Sequence, residues 1–492
     1  MPLTMSSTNA QNLSLSLCTI LDSFGYSKEQ IELRSKEMDY SLQKIEITAN
    51  SFFKYSLLPE LTYVSAGSTG EGIRLSDSDI DYMNAFQDII CVDEGFENSV
   101  CVVLESDRTS TAPGYTKIVL ISNLDSFDLR TSSMIEKYMY LQIMSKYRTQ
   151  SGKKYISSEQ FKGITLDAMN LFGLKIFGKC SGPAFQPNDD LKVQIDSVIS
   201  IYFYGGNYLN KWTNRSRNHA WPTSEVVNEV SQMEGYIVPI GDKQSDMQAY
   251  EWRICYTTAE KRLVSSLSDT QLKAYVLLKI MAKTLLKPRC NFLTSYVVKN
   301  VIFWVMEMSD SCELSPSHLV NLIQKAIFFI KHCVINNHLP NYMIPERNLL
   351  RGDVFGKDKV AIISFLSDCL EEGGSILLKV PKLYHCVALS ISKPDLFPVF
   401  RKWRDETERI LCLLTECIYD FSVVNLVEQN PSVDGLFNSL PRRCMSDNKT
   451  VVAFEKLFIH VVPDLWSLEC SGTTEEDIYQ IFLERLKLLK IL

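Results

Sequence analysis

Two aspartates two positions apart, Asp79 and Asp81, follow a Gly67-Ser68 pair across a short polar loop in residues 63–83. On a strand, side chains alternate with period 2, so Asp79 and Asp81 project from one face. Carboxylates held side by side repel, and a divalent cation relieves that repulsion. A small-residue turn offers unencumbered backbone N–H groups that can approach triphosphate oxygens. Hard cations such as Mg²⁺ take carboxylate oxygen together with substrate phosphate. The stretch thus combines a phosphate cradle with a metal platform, the pairing that nucleotidyl transfer needs. A hairpin with a glycine-rich turn and solvated aspartates has the same pattern, so other parts of the chain must decide.

A third acid, Asp196, is the one acid in residues 191–202, where apolar side chains alternate as in a central strand. Burying it costs free energy unless a partner or a metal compensates, whereas on the polar side of the strand it would simply face water. The elements that must position these acids begin with a capping box at Ser27 and Gln30. Apolar residues from Ile31 to Phe52 recur every three to four positions, predicting a long helix that ends near Pro59. Strands are expected at 61–65, 79–86, 89–104 and 116–122, and a helix at 134–144. Residues 145–155 read as a loop in which Lys146, Arg148, Lys153 and Lys154 accompany Tyr147 and Tyr155. That mix suits a nucleic-acid backbone and equally a solvated loop.

Beyond residue 203 the pattern turns mostly helical, with short extended pieces at 236–239 and 251–256 and helices at 269–286, 295–308, 316–332 and 345–350. A further helical segment runs from 352 onwards, and no internal repeat is present. The fold class expected is α+β, divided into a poorly ordered 1–26, a core at 27–203, a helical part at 204–350 and a helical extension at 351–492.

With 46% hydrophobic and 22% charged residues, 492 residues suffice for two or three globular domains. The net charge of −7 excludes general electrostatic attraction to nucleic acid, so any such surface must be a local patch. Fourteen cysteines without a CxxC, and six histidines, point to buried reduced thiols rather than a disulfide framework or zinc ribbon. No positive charge precedes the apolar residues 13–21, so no secretory leader is expected. No apolar run reaches the ~18 residues of a membrane span; the best, at 296–308, carries Lys299 and Glu307. A cytoplasmic protein without a membrane partner is the expectation.

Three further stretches bring out a resemblance. Glu251-Trp-Arg-Ile-Cys-Tyr-Thr-Thr-Ala-Glu-Lys261, Thr294-Ser-Tyr-Val-Val-Lys299 and Asn341-Tyr-Met-Ile-Pro-Glu-Arg-Asn-Leu-Leu350 stand in order with the Gly-Ser and paired-acid motif. Over about residues 27–350 the chain resembles the animal Mab-type nucleotidyltransferases, which include cyclic GMP-AMP synthase and the cGAS-like receptors.

The resemblance implies a bilobal nucleotidyltransferase fold: a mixed-sheet core with a spine helix, a helical lobe completing the nucleotide pocket, and a helical C-terminal extension. It implies that Asp79, Asp81 and Asp196 ligate two Mg²⁺ or Mn²⁺ ions. Gly67, Ser68, Arg253, Glu260, Lys279, Ser295 and Tyr296 would bind ATP and GTP or a related nucleotide pair. The implied product is a cyclic dinucleotide messenger in innate immunity, read by a STING-type receptor. Activation by double-stranded RNA or DNA is part of the same expectation. The candidate contacts are Lys28, Arg34, Lys36 and Lys44 on the long helix and the basic residues of 145–155, although Glu29, Glu32, Glu37 and Glu46 alternate with the helix cations as on a solvated face. Cys255 departs from the family's serine. Residues 262–272 lack the Cys and His of the vertebrate zinc thumb, so no structural zinc is expected and RNA is favoured over DNA. Mab-type relatives without catalysis, and template-independent RNA nucleotidyltransferases, share parts of this pattern and remain the alternatives.

Overall fold

The computed structural model describes residues 7–56, 60–75, 78–93, 102–120, 147–150, 153–171, 177–187, 195–205, 207–218, 221–351, 358–429, 448–471 and 473–490. Its centre is a mixed sheet of eleven strands: β1 (Leu61–Ala66), β2 (Ile80–Val92), β3 (Val102–Asp107), β4 (Tyr115–Leu120), β5 (Tyr147–Gln150), β6 (Lys153–Ile156), β7 (Phe177–Ser181), β8 (Ala184–Pro187), β9 (Ile195–Tyr204), β10 (Gly235–Val238) and β11 (Glu251–Cys255). The long β2 organises it. Along one edge β2 pairs first with β1, antiparallel, and then with β3, parallel; along the other it pairs with β9, parallel. The order β2-β3-β4-β11-β10-β9, closed by the β2–β9 pairing, makes a ring of six strands.

Period-2 alternation sorts the side chains into two sets. Phe86, Ile199, Ile201, Phe203, Ile237, Trp252 and Ile254 enter the main core, while Met83, Ala85, Tyr236 and Val238 form a smaller cluster on the opposite face. Strands β10 and β11, the short extended pieces expected within the mostly helical part, show that residues 235–238 and 251–255 belong to the sheet. The chain is therefore less divisible at residue 203 than its changing periodicity suggests.

Helices cover the main core. Helix α1 (Ser7–Ser23) buries Leu13, Leu17, Ile20 and Leu21, and the Ser14 hydroxyl accepts the Val320 N–H at 3.1 Å. The expectation of a poorly ordered beginning fails for residues 7–23, because this i, i+4, i+7, i+8 stripe seals the core. Helix α2 (Lys28–Ser56) follows the predicted course and runs beside β1, where Asn50 bonds both the carbonyl and the N–H of Leu61. The helix Asp269–Met281 is buried on every side from Thr270 to Met281, and Leu319–Asn336 flanks it.

Two local expectations are corrected. Residues 345–350 are a turn closed by a Pro340–Asn348 bridge, with Asn341 Oδ1 accepting from the N–H groups of Met343 and Ile344. Residues 147–156 contribute the hairpin strands β5 and β6 rather than a loop. The helix expected at 134–144 lies outside the described residues.

In the C-terminal part, the helix Leu396–Gln429 packs along α2. A second small core of Ile410, Leu457, Val461, Val462 and Phe482 holds the last helices to it. Among the described residues one helix, Pro316–Asn336, is long and apolar enough to cross a membrane, but half of its most apolar window is buried inside the protein. This, rather than 296–308, is the most span-like segment.

Candidate active site

Asp81 lies on β2 directly opposite Asp196 on the parallel β9, and Asp79 immediately precedes β2. Carboxylate oxygens of all three lie within 4.8 Å of one another, and each side chain is partly exposed. Local chemistry fixes the arrangement. The Thr69 hydroxyl donates to the Asp79 carbonyl at 2.6 Å, and Gln186 Nε2 donates to Asp196 Oδ1 at 3.0 Å.

Gly67 opens a single helical turn, Gly67–Gly70, at φ 59°. A Cβ there would stand 1.8 Å from Asp81 Oδ2, so only glycine lets the turn lie against this carboxylate. The turn closes through Ile73 N–H to Ser68 O at 2.8 Å and Gly72 N–H to Thr69 O at 3.1 Å.

Burial, then Asp79, then Asp196 push the Asp81 carboxyl up to about 7. Such a cluster of hard oxygen donors disfavours its own full ionisation, and a divalent cation is the group that would relieve it. The residues present thus fit a Mg²⁺- or Mn²⁺-type ion by donor chemistry.

Of the nucleotide-contact candidates, Arg253 in β11 pairs in register with Val238 and stands two positions from Cys255, placing it on the same sheet face as Met83 and the acids. Ser295 is exposed at the start of the helix Ser295–Glu307, whose N-cap is Thr294. Ser68 is partly exposed, with its hydroxyl 3.4 Å from that of Ser78.

The remaining candidates are drawn into a buried network. Tyr296 OH donates to Glu260 at 3.0 Å and accepts from Asn341 Nδ2 at 2.7 Å. Lys299 Nζ bridges Glu260 at 2.7 Å and Glu71 at 2.9 Å, and Tyr275 OH donates to Glu71 at 3.1 Å. Burial alone would lower the Lys299 pKa, yet Glu260 and Glu71 hold it well above its ordinary value. Lys279 Nζ donates to the Ile73 carbonyl at 3.0 Å, and burial pulls its pKa down to about 8. Glu260 and Lys279 therefore face the glycine-rich loop and the network behind it.

Sequence reasoning passed over Glu71, Lys299 and Asn341 as functional groups, although all three sit inside the motifs it singled out. The local signals differ: Glu71 stands between Gly70 and Gly72, Lys299 follows Val297 and Val298, and Asn341 lies between Pro340 and Tyr342. Gln186, an amide between Phe185 and Pro187, lies outside those motifs and was passed over as well.

The basic residues expected to touch nucleic acid divide. Arg34 points inward, 5% exposed, and bonds the Gly72 carbonyl and Glu408, so it is not a surface contact. Lys28 is partly tied, donating to the Leu267 carbonyl at 3.0 Å. Lys36 is exposed, Lys44 lies over the Tyr40 ring at 5.0 Å, and Lys153 pairs with Asp107 at 3.3 Å. Lys146 and the side chains of Arg148 and Lys154 lie outside the described residues.

Residues 256–370 match the family described as the Mab-21 protein HhH/H2TH-like domain. The matched segment contains Glu260, Lys279, Ser295, Tyr296 and Lys299 but not the strands that carry the acids. It supports a nucleotidyltransferase-like scaffold, to which the three-carboxylate cluster adds a possible metal-binding centre.

Proposed function

We propose that this protein is a metal-dependent nucleotidyltransferase that joins ATP and GTP, or a related nucleotide pair, into a cyclic dinucleotide. The carrying observation is the convergence of Asp79, Asp81 and Asp196 to within 4.8 Å beside a turn that only glycine can form. Residues more than a hundred positions apart meet there with the donor chemistry of phosphoryl transfer.

The cations held by the three aspartates would supply activation of a ribose hydroxyl and neutralisation of triphosphate charge. The chain's own groups do the rest. The Gly67–Gly70 turn brings backbone close to the acids, where a phosphate chain would lie. Gln186 fixes one oxygen of Asp196 and leaves the other to take the hydroxyl proton. Arg253, on the same face, supplies fixed positive charge for the second nucleotide, and the partly exposed Tyr296 ring offers a surface for a base.

The resemblance over residues 27–350 supports a duplex nucleic-acid trigger, RNA before DNA, acting along the exposed side of α2 and the β5–β6 hairpin. Recognition would use shape, phosphates and 2′-OH groups, with little sequence preference. The test is purified protein with labelled nucleotides and Mg²⁺ or Mn²⁺, crossed with a panel of RNA and DNA duplexes. A phosphatase-resistant cyclic dinucleotide is expected. Linear chains alone under every activator would move the assignment to an RNA nucleotidyltransferase, and no conversion at all would favour a silent scaffold.

A further inference from the structure

Three cations grip three consecutive residues at the end of the glycine-rich loop. Lys299 holds the Glu71 carboxylate, Arg34 holds the Gly72 carbonyl through Nε at 2.9 Å, and Lys279 holds the Ile73 carbonyl. Lys279 and Lys299 belong to the buried helices behind the site. Arg34 differs, because its guanidinium is shared with the C-terminal part of the chain.

Arg34 Nη1 lies 3.1 and 3.2 Å from the two Glu408 carboxylate oxygens, and Nη2 donates to the Gly25 carbonyl at 2.6 Å. Arg404 Nη1 donates to the same Glu408 at 2.9 Å. Arg34, Arg404 and Glu408 are each under 9% exposed. Around them, Cys412 Sγ donates to Glu37 at 3.1 Å, and Gly25 approaches so closely that a Cβ would meet Arg404 Nη1 at 1.6 Å. Gly72, at φ 73°, packs against α2 just as tightly; a Cβ there would stand 2.0 Å from the Ile31 carbonyl oxygen.

We infer that the C-terminal helix Leu396–Gln429 is an intramolecular brace for the phosphate loop, acting through Glu408 and Arg34 on the Gly72 carbonyl. Arg34 and Glu408 are positioning residues; neither touches the carboxylate cluster. A guanidinium carries its donors in a rigid fork, so Arg34 can hold the loop and the carboxylate only when Glu408 is seated. Without Glu408 the buried charge loses its partner and the fork loses its anchor. Seating of the C-terminal helix thereby sets the fraction of molecules whose loop is ready for a nucleotide. This inference rests on reading Gly67–Gly72 as the phosphate loop.

The test is amide hydrogen exchange on the full chain, comparing wild type with Glu408→Gln and Arg34→Lys. Arg34→Lys keeps a charge for Glu408 but lacks the fork, so it guards against a simple folding failure. Exchange at Gly72 and Ile73, whose amides close the turn, should quicken at least about tenfold in both variants. Amides of the C-terminal helix should quicken in Glu408→Gln alone. With nucleotide present, the KM should rise about tenfold while kcat at saturation changes much less, because nucleotide binding reselects the ordered loop. Wild-type exchange at Gly72 and Ile73 in either variant overturns the brace, whatever the C-terminal helix does. Because exchange needs no turnover, an inactive wild type would count against the enzymatic assignment alone.

Discussion

Gly67 is constrained twice, by a positive φ and by a carboxylate oxygen in the place a Cβ would take. Gly67→Ala should cost about 1–3 kcal/mol in chemical unfolding and displace Asp81, reducing turnover further than stability. An alanine variant as stable and active as wild type would contradict that geometry. Asp81 gives a prediction of opposite sign. Its folded pKa, about 7, lies above the usual carboxylate value, so between roughly pH 4 and 7 the folded state binds more protons than the unfolded one. Without metal, stability should fall as pH rises through this window, and Asp81→Asn should stabilise the metal-free protein at pH 8, by roughly 1–3 kcal/mol. Added Mn²⁺ should stabilise wild type and leave the asparagine variant unmoved, as thermal melting would show.

The three aspartates were legible because two are local to one another and the third interrupts an apolar strand. The Glu71–Lys299–Glu260 network was not. Glu71 and Lys299 are 228 positions apart, and neither shows a pairing until the loop and the helix are docked.

Among elements, α1 shows what composition conceals. Its Ser, Thr and Asn residues look like a disordered tail, yet Leu17, Ile20 and Leu21 are fully buried. Leu17→Ala should therefore cost about 2–5 kcal/mol, as a core position does, where a disordered tail would tolerate it freely. The β5–β6 hairpin was hidden for a related reason. Its strands are polar, and what pins them is tertiary: Val119 pairs with Tyr155, whose hydroxyl donates to Asp107 at 2.7 Å. Long helices such as α2 were readable because their apolar period is sustained over many turns.

The seat of the C-terminal helix carries a pH dependence. Burial acts to raise the Glu408 pKa, but Arg34 and then Arg404 outweigh it and hold the carboxyl below its ordinary value; Asp405, Tyr26 and the Cys412–Glu37 pair are titratable groups alongside. A depressed pKa contributes stability above the unfolded value of ~4.3 that is lost as pH falls through the folded one. Protection in the helix Leu396–Gln429, read as the exchange rate relative to that of the unfolded chain at the same pH, should accordingly be high at pH 6 and fall below about pH 4. Protection unchanged down to about pH 3 would show that the ion cluster does not hold it.

At the scale of the whole molecule, a net charge of −7 means that a polyanion must find a local basic surface. Turning Arg34 inward removes one cation from the α2 face, leaving Lys36 exposed there and Lys153 on the hairpin. If duplex RNA is the trigger, the concentration needed for half-maximal activity should rise steeply between about 50 and 200 mM salt, as counterion release demands. The central claim, that the carboxylate cluster performs metal-dependent nucleotidyl transfer, is tested most directly by pyrophosphate release. Wild type and Asp79→Asn, matched for melting temperature, would be given ATP, GTP, Mn²⁺ and the duplex panel. A metal centre worth several kcal/mol predicts a loss of at least about a hundredfold in the variant. Equal release from both proteins, or none from wild type with any duplex, would contradict it.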